Sequence, residues 1–250
     1  FKTMNFLESF LSHHKVIVLI GISLALLSFT DKALAVGAVV AGFLFSLTLF
    51  FISKIKEKEA VKFLSALFLI IFLMHIAAVI FIYYAKFQPF SGGRGDYTGY
   101  DLQGQEIRNR VLAGNFSIKG FSFDHYYPVI VGYIYFLTIP SMLMGQLFNA
   151  WVVSMTVVFV YLIVLQLGGK AEEGFISGLI AGFYPSLFFY GSLLLKDALV
   201  VFLAALSLFL TVKLIKEFSF NKFALFYIIL IGLTHFRFYI GYLLIFTFIA

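Results

Sequence analysis

The sequence predicts an all-α, polytopic membrane protein: a bundle of apolar helices with one amphipathic helix beside the membrane. Three observations carry this. Hydrophobic residues make up 62% of the chain and charged residues 12%, against about 25% charged in a soluble domain. A soluble core of this size could not hide so much apolar surface, so the solvent is largely lipid. Apolar runs recur along the whole chain, and "FLSALFLIIFLMHIAAVIFIYYA", Phe63 to Ala85, alone exceeds the roughly 20 residues that cross a bilayer. Finally, Lys and Arg gather in short segments between the runs, where they set topology and meet lipid headgroups. A net charge of +6 would suggest nucleic acid in a soluble protein; here no nucleic-acid partner is expected.

The elements follow in order. Val16–Phe29 and Ala33–Ser53 form an N-terminal transmembrane hairpin, residues 1–53. "ALA" at 33–35 resembles a signal-peptide cleavage site. A second apolar run follows at once, which favours a retained anchor. Residues 54–250 form the larger membrane module, with spans at Phe63–Ala85, Pro128–Leu147, Ala150–Leu167, Phe175–Tyr190, Ala198–Ile215 and Phe223–Ala250. The last run is long enough to hold a kink. The chain begins at Phe1 and stops inside an apolar run, so it is expected to be the N-terminal part of a longer protein.

Orientation follows from the basic residues. Lys54, Lys56, Lys58 and Lys62 make the densest cluster, which places 54–62 in the cytoplasm and the loop 86–127 outside. Strict alternation of all later spans would put Lys213, Lys216 and Lys222 outside. One net crossing over 128–167, consistent with the helix-breaking Pro128 and Pro140, returns them to the cytoplasm. It leaves Lys196 and Asp197 outside.

Loop 86–127 is long enough to be functional. After the glycines of "SGGRG", Tyr100, Gly104, Ile107 and Val111 recur at i, i+4, i+7 and i+11. That stripe predicts an amphipathic helix on the membrane surface. "TGYD", Thr98 to Asp101, fits a capping box at its start, and Gly114 fits its end.

Several chemistries are excluded. The chain has no Cys, hence no disulfide, zinc thiolate or thiol nucleophile. "GGRG" lacks the Lys-Ser/Thr of a phosphate loop and follows no strand. The histidines show no HxxxH spacing, and His75, alone in a span, reads as a packing residue. No Ser sits in a nucleophile elbow.

Charges at membrane depth are more informative. "SLLLKDALVVF" holds Lys196 and Asp197, and "LTHFRFYIGY" holds His235 and Arg237. A charge in hydrocarbon costs about 2.5–3.5 kcal/mol on insertion scales and normally faces a bundle interior or wet cavity. Arg237 lies fifteen residues beyond Lys222, about 22 Å of helix, so it reaches the outer half of the membrane. Asp96, Lys196, Asp197, His235 and Arg237 are expected to converge there.

The series "GDYTGYDLQGQEIRNRVLAGNFS", "DHYYPVIVGYIYFL", "LFNAWVVSMTVVFVYLIVLQLGG", "GLIAGFYPSLFFYGSLLLKDALVVF" and "HFRFYIGYLLIF" resembles the GT-C glycosyltransferases. More narrowly it is similar to the family of protein O-mannosyltransferases and the lipid A aminoarabinose transferase, from about Phe63 to Ala250. The resemblance implies a sugar donor on polyprenyl phosphate, presented from the outer leaflet. It implies that the first-loop acid, here Asp96, acts as general base or positions the acceptor, and that the acid of "LLLKD", Asp197, supports the site. The family usually has Asp or Glu there; the preceding Lys occurs in only part of it.

The residues suit that chemistry. A sugar hydroxyl is a poor nucleophile that a carboxylate assists, and cations stabilise a departing phosphate. Lys196 and Arg237 are the candidates for phosphate binding, with His235 and Arg94 beside them. Glu106 and Asp101 are candidates for a second acid. No cofactor is specified, and a divalent metal is admissible. The acceptor is a glycan, lipid or protein. The expected setting is the bilayer of a prokaryotic plasma membrane, with the active site facing out to the cell envelope.

Structural readings compete at each residue. Asp96 could cap a turn, and Asp101 reads better as a cap than as a catalyst. Glu106 could be an exposed helix residue and Arg94 a headgroup contact. Lys196 and Asp197 could form an ion pair or snorkel. His235 could bond a neighbouring helix. Tyr126 and Tyr127 read as interfacial belt residues. At the level of the protein, a transporter or flippase of lipid-linked sugar, or a non-catalytic scaffold, competes with the transferase. The chain shows no internal repeat of the transporter kind.

Overall fold

The computed structural model describes residues 21, 23–87, 95–117 and 126–249, with side chains to residue 246. Arg94, most of "SGGRG" and the first part of the Val16–Phe29 run lie outside the described residues. Among the described residues there are helices and no strands. A helical stretch over 23–30 leads to α1 (Lys32–Ile52), α2 (Lys58–Tyr84), α3 (Asp96–Leu112), α4 (Tyr127–Leu137) and α5 (Met142–Gln166). These are followed by α6 (Ala171–Gly182), α7 (Pro185–Gly191), α8 (Asp197–Lys216), α9 (Phe220–Phe236) and α10 (Phe238–Ile249).

Helices α1, α2, α5 and α8 are long and apolar enough to cross a membrane. With 27 residues, α2 is about 40 Å long. That exceeds a hydrocarbon core of about 30 Å, so its ends leave the lipid interior. α6 and α7 make one passage bent by 63°. The bend falls just before Pro185, which suits the first turn of a new helix but not the middle of an old one.

Contacts at the helix ends give the topology. At one end, Tyr84 donates a hydrogen bond to Asp31, the N-cap of α1, and the Tyr83 and Ser141 hydroxyls lie 3.1 Å apart. Asp197 meets Arg237 there. At the other end, the Lys216 ammonium donates to the Gln166 carbonyl, and the Phe63 and Phe175 rings pack at 5.6 Å. Lys54, Lys56, Lys58, Lys170 and Lys222 join Lys216 at this second end, because they flank the helices that start or finish there. The basic clusters thus share one side, the pattern that the positive-inside rule describes.

Two expected spans are corrected. Pro128–Leu147 and Ala150–Leu167 are not separate crossings: residues 142–166 are one unbroken helix. The polar Asn149 does not break it, because its amide is fully hydrogen-bonded across the bundle. The real break lies around Pro140, and α4 is a separate helix of 11 residues. α5 starts at the Asp197 end and finishes at the Lys216 end, so 127–167 makes one net crossing. The final apolar run is broken at Arg237, where the backbone is extended.

The amphipathic stripe holds. Tyr100, Gly104, Ile107 and Val111 are all buried along α3, which seats on α4. A Cβ on Gly104 would stand 2.6 Å from Val131 Cγ1, and one on Gly132 would stand 2.5 Å from Ile107 Cγ2. Gly114, at φ +77°, stops the helix in the left-handed conformation that glycine tolerates. Its start differs from expectation. α3 begins at Asp96 after the N-cap Gly95, two residues before the "TGYD" box. Thr98 donates back to the Gly95 carbonyl at 2.6 Å, and Asp101 is a mid-helix residue, not a cap.

A second glycine stripe fixes α6. Cβ atoms at Gly174, Gly178 and Gly182 would fall 2.9 Å from Tyr161, 2.4 Å from Leu67 and 2.5 Å from Ile71. Small residues at four-residue spacing let membrane helices approach backbone to side chain. Gly178→Leu will therefore cost about 1–3 kcal/mol through overpacking, read as a lower thermal midpoint in detergent; an unchanged midpoint contradicts the close approach. Single cysteines replacing Lys170 and Ser219 will label from the same side of the membrane, and one replacing Asn109 only from the other. Labelling of all three from one side contradicts the single crossing.

Candidate functional site at the Asp197 end

The site is built around a piece of buried non-helical backbone at one end of the bundle. Residues 192–196 link α7 to α8, and their carbonyls need partners that lipid cannot supply. Asn149, fully buried on α5, supplies them. Its amide nitrogen donates to the Leu193 carbonyl at 2.7 Å and to the Leu195 carbonyl at 2.8 Å. Its amide oxygen accepts from the Tyr127 hydroxyl at 3.0 Å. A second peg is Ser192, whose hydroxyl donates to the Phe188 carbonyl at 2.8 Å and lies 3.0 Å from His75 Nδ1. His75 is a buried packing residue whose Nδ1 has this partner while its Nε2 has none.

This pinned segment delivers Lys196 and Asp197 to the start of α8, both partly exposed. The break between α9 and α10 delivers Arg237. Arg237 Nη2 donates to Asp197 Oδ1 at 2.5 Å, and Nη1 donates to the Tyr239 hydroxyl at 2.7 Å. Its Nε is buried and has no hydrogen-bond partner.

Asp96 lies exposed in the first turn of α3. Tyr100, one turn on, donates toward Asp96 Oδ2 at 3.5 Å, the long limit of a hydrogen bond. The Tyr100 ring meets the Tyr127 ring edge-on at 5.1 Å. Burial pushes the Tyr100 phenol well above its usual range. The charges of Asp96 and Asp197 raise it further, and Arg237 partly offsets them. Tyr100 is therefore a neutral hydroxyl surrounded by the site's charged groups. The His235 ring meets the Tyr126 ring at 5.5 Å, tilted by 43°; its Nδ1 lies 2.8 Å from the Ile231 carbonyl of its own helix, not of a neighbouring one.

Of the five residues expected to converge, Arg237 bonds Asp197 directly, and Asp96 is linked to them through Tyr100; Lys196 precedes Asp197 in the chain, and His235 contacts Tyr126 and its own helix. Asp101 and Glu106 do not join them. Asp101 accepts from the Tyr135 hydroxyl at 2.5 Å and from Gln105 at 2.9 Å, tying α3 to α4. Glu106 pairs with Arg110 at 3.1 Å on an exposed face, about 15 Å along the helix from Asp96. Tyr127 is corrected from an interfacial residue to a fully buried one. The sequence does not single out Asn149, because it is one of three amides in the 25-residue helix α5, with Gln146 and Gln166. Among the described residues, no three of His, Asp and Glu gather closely enough to hold a metal ion.

An apolar cavity of about 500 Å³ opens beside Asp197. It runs along α8 through Ala198, Val201 and Ala205 to Leu208, with Tyr190 and Thr156 on the facing helices.

The described residues form an all-helical bundle of the polytopic membrane kind, with acids and cations at one end, and a family match identifies it as a membrane glycosyltransferase of the GT-C type. The family model for dolichyl-phosphate-mannose-protein mannosyltransferase matches residues 101–235, more than half of the chain, and the chain belongs to this family. No curated protein and no solved structure matched. The matched segment contains Asn149, Lys196, Asp197 and His235; Asp96 and Arg237 lie just beyond its two ends.

Asn149→Ala will take the donor from two buried carbonyls, at about 1–3 kcal/mol for each group left without a partner. Tyr127→Phe removes one bond only. The thermal midpoint will fall clearly further for Asn149→Ala; equal falls contradict the pinning role.

Proposed function

We propose that this glycosyltransferase moves a sugar from a polyprenyl-phosphate donor to an acceptor hydroxyl, on the face of the membrane at the Asp197 end. The observation that carries this reading is the buried, unpartnered Nε of Arg237, in a guanidinium bonded to Asp197, which lines the apolar cavity. A phosphate on a long lipid finds a fixed guanidinium donor, and its first isoprene units find a groove along α8.

Asp96 takes the proton of the acceptor hydroxyl as its oxygen bonds to the anomeric carbon. The bond from that carbon to the phosphate oxygen breaks, and the phosphate leaves as an anion held by Arg237 and Lys196. Asp197 fixes the guanidinium of Arg237. Asp96 suits the base because it is exposed, with only one long hydrogen bond. His235 flanks the site, and Arg94, two residues before Asp96 in the chain, adds a further cation. The acceptor is a glycan, lipid or protein hydroxyl. The Lys216 end faces the cytoplasm of a prokaryotic plasma membrane and the reaction faces the envelope. In this reading the chain up to Ser53 precedes the transferase module of 54–250, and α1 seats on α5 through Gly37.

The test is the Asp96→Asn variant. Turnover will fall by about 10²–10⁴-fold, the usual contribution of a general base, while the polyprenyl-phosphate donor still binds. Undiminished transfer would remove Asp96 from the chemistry. Movement of the donor lipid between leaflets of a liposome without acceptor would mark a transporter instead.

A further inference from the structure

A second cavity lies on the other side of the 192–196 segment. It encloses about 370 Å³ between the end of α2, the start of α3 and the start of α5, and Leu193 forms part of its wall. The apolar groove beside Asp197 and this cavity therefore flank the same pinned strand of backbone. Their linings differ sharply. The groove is lined mainly by aliphatic side chains, with Tyr184 and Tyr190 among them, whereas this cavity is lined by Tyr83, Tyr84, Phe87, Tyr97, Gln146 and Lys86.

Two of those groups lack partners. The Tyr97 hydroxyl and Gln146 Oε1 are buried without a hydrogen bond, and their side chains are 2% and 1% exposed. Buried polar atoms in a folded protein are nearly always paired, so two orphans lining one cavity point to a ligand with hydroxyl groups. The other phenols are already committed: Tyr83 to Ser141 and Tyr84 to Asp31. They offer ring faces rather than hydroxyls. Apolar ring faces with a few fixed polar atoms suit a small molecule, and the volume falls within the roughly 300–1,000 Å³ of small-molecule sites. A ligand that presents C–H faces to aromatic rings and hydroxyls to an amide and a phenol is a pyranose.

We propose that this cavity is the subsite for the sugar ring of a saccharide acceptor. Calling the ligand an acceptor rests on the transfer reaction proposed above; the sugar site itself does not. Tyr97 follows Asp96 directly in the chain, so a ring held here lies at the same end of α3 as the proposed base. Lys86 stands at the cavity and suits an acidic substituent on the saccharide.

The experiment uses the cysteine-free full chain in a detergent without a sugar headgroup. Single cysteines are introduced as Gln146→Cys and Met142→Cys, both in the cavity lining, and as Asn109→Cys on the exposed face of α3. Alkylation by a water-soluble maleimide is timed with methyl hexosides and methyl N-acetylhexosaminides at about 10–100 mM, since small isolated ligands bind in the millimolar range. Occupancy slows labelling by a factor of 1 + [L]/Kd, about tenfold at ten times Kd. Protection at 142 or 146, with none at 109, is the expected result, and Met142→Cys serves if Gln146→Cys does not fold. Absence of protection by any glycoside at a folded variant overturns the proposal. So does equal protection by N-acetylthreonine methylamide, which would make it a peptide site. Because labelling needs no turnover, the sugar site can stand while Asp96→Asn refutes the transfer mechanism, and the reverse holds equally.

Discussion

The hydrogen bonds of Asn149 are the constraint on which the rest of the site depends. A bilayer tolerates non-helical backbone only where protein satisfies its polar groups, and residues 192–196 are such backbone. One amide side chain closes the account, binding two carbonyls of that segment and the Tyr127 hydroxyl of α4. It thereby ties three elements, α4, α5 and the start of α8, at a single point. Asp197 follows two residues after the second pinned carbonyl, so its position is inherited from Asn149. Arg237 is positioned in turn by Asp197. Tyr127 passes the constraint the other way, through its edge-on contact with Tyr100, to the helix that carries Asp96.

Glycine packing makes this arrangement reachable. The stripe Gly174, Gly178 and Gly182 brings α6 against Leu67, Ile71 and Tyr161. The bend before Pro185 then turns α7 away. The same logic seats α3 on α4 through Gly104 and Gly132. Close approach of backbones replaces the hydrophobic driving force that lipid-embedded helices lack. The cavity along α8 extends from Asp197 to Leu208, and the second cavity reaches Leu193 of the 192–196 turn.

What the sequence could reveal follows from which signals are periodic or costly. The stripe of Tyr100, Gly104, Ile107 and Val111 is a period, and it predicted the buried face of α3. Charges inside apolar runs are costly, and that cost marked Lys196, Asp197, His235 and Arg237 before any coordinates. The lysine clusters foretold one net crossing over 128–167. The boundaries of the crossing were misplaced, because no local signal says that Asn149 is satisfied from other helices and leaves α5 unbroken. Asp101 was read as a cap because capping is a local pattern, whereas its partner Tyr135 lies 34 residues away. Tyr127 and Asn149 were overlooked for the same reason: each looks ordinary until the other stands opposite.

The two central carboxylates differ in what holds them, and that difference decides their proposed parts. Asp197 is half of a hydrogen-bonded ion pair at 2.5 Å, so its carboxylate is already committed to Arg237. Taking a proton there would weaken its hold on Arg237 at the moment when phosphate charge develops. Asp96 has no such tie: its one phenol contact is long, and Tyr100 is kept neutral by burial and by both carboxylates. A proton gained by Asp96 leaves the Arg237 pair intact. The electrostatics therefore favour a base at the start of α3 and an anion clamp at the start of α8, joined through Tyr100 and Tyr127 rather than through direct contact.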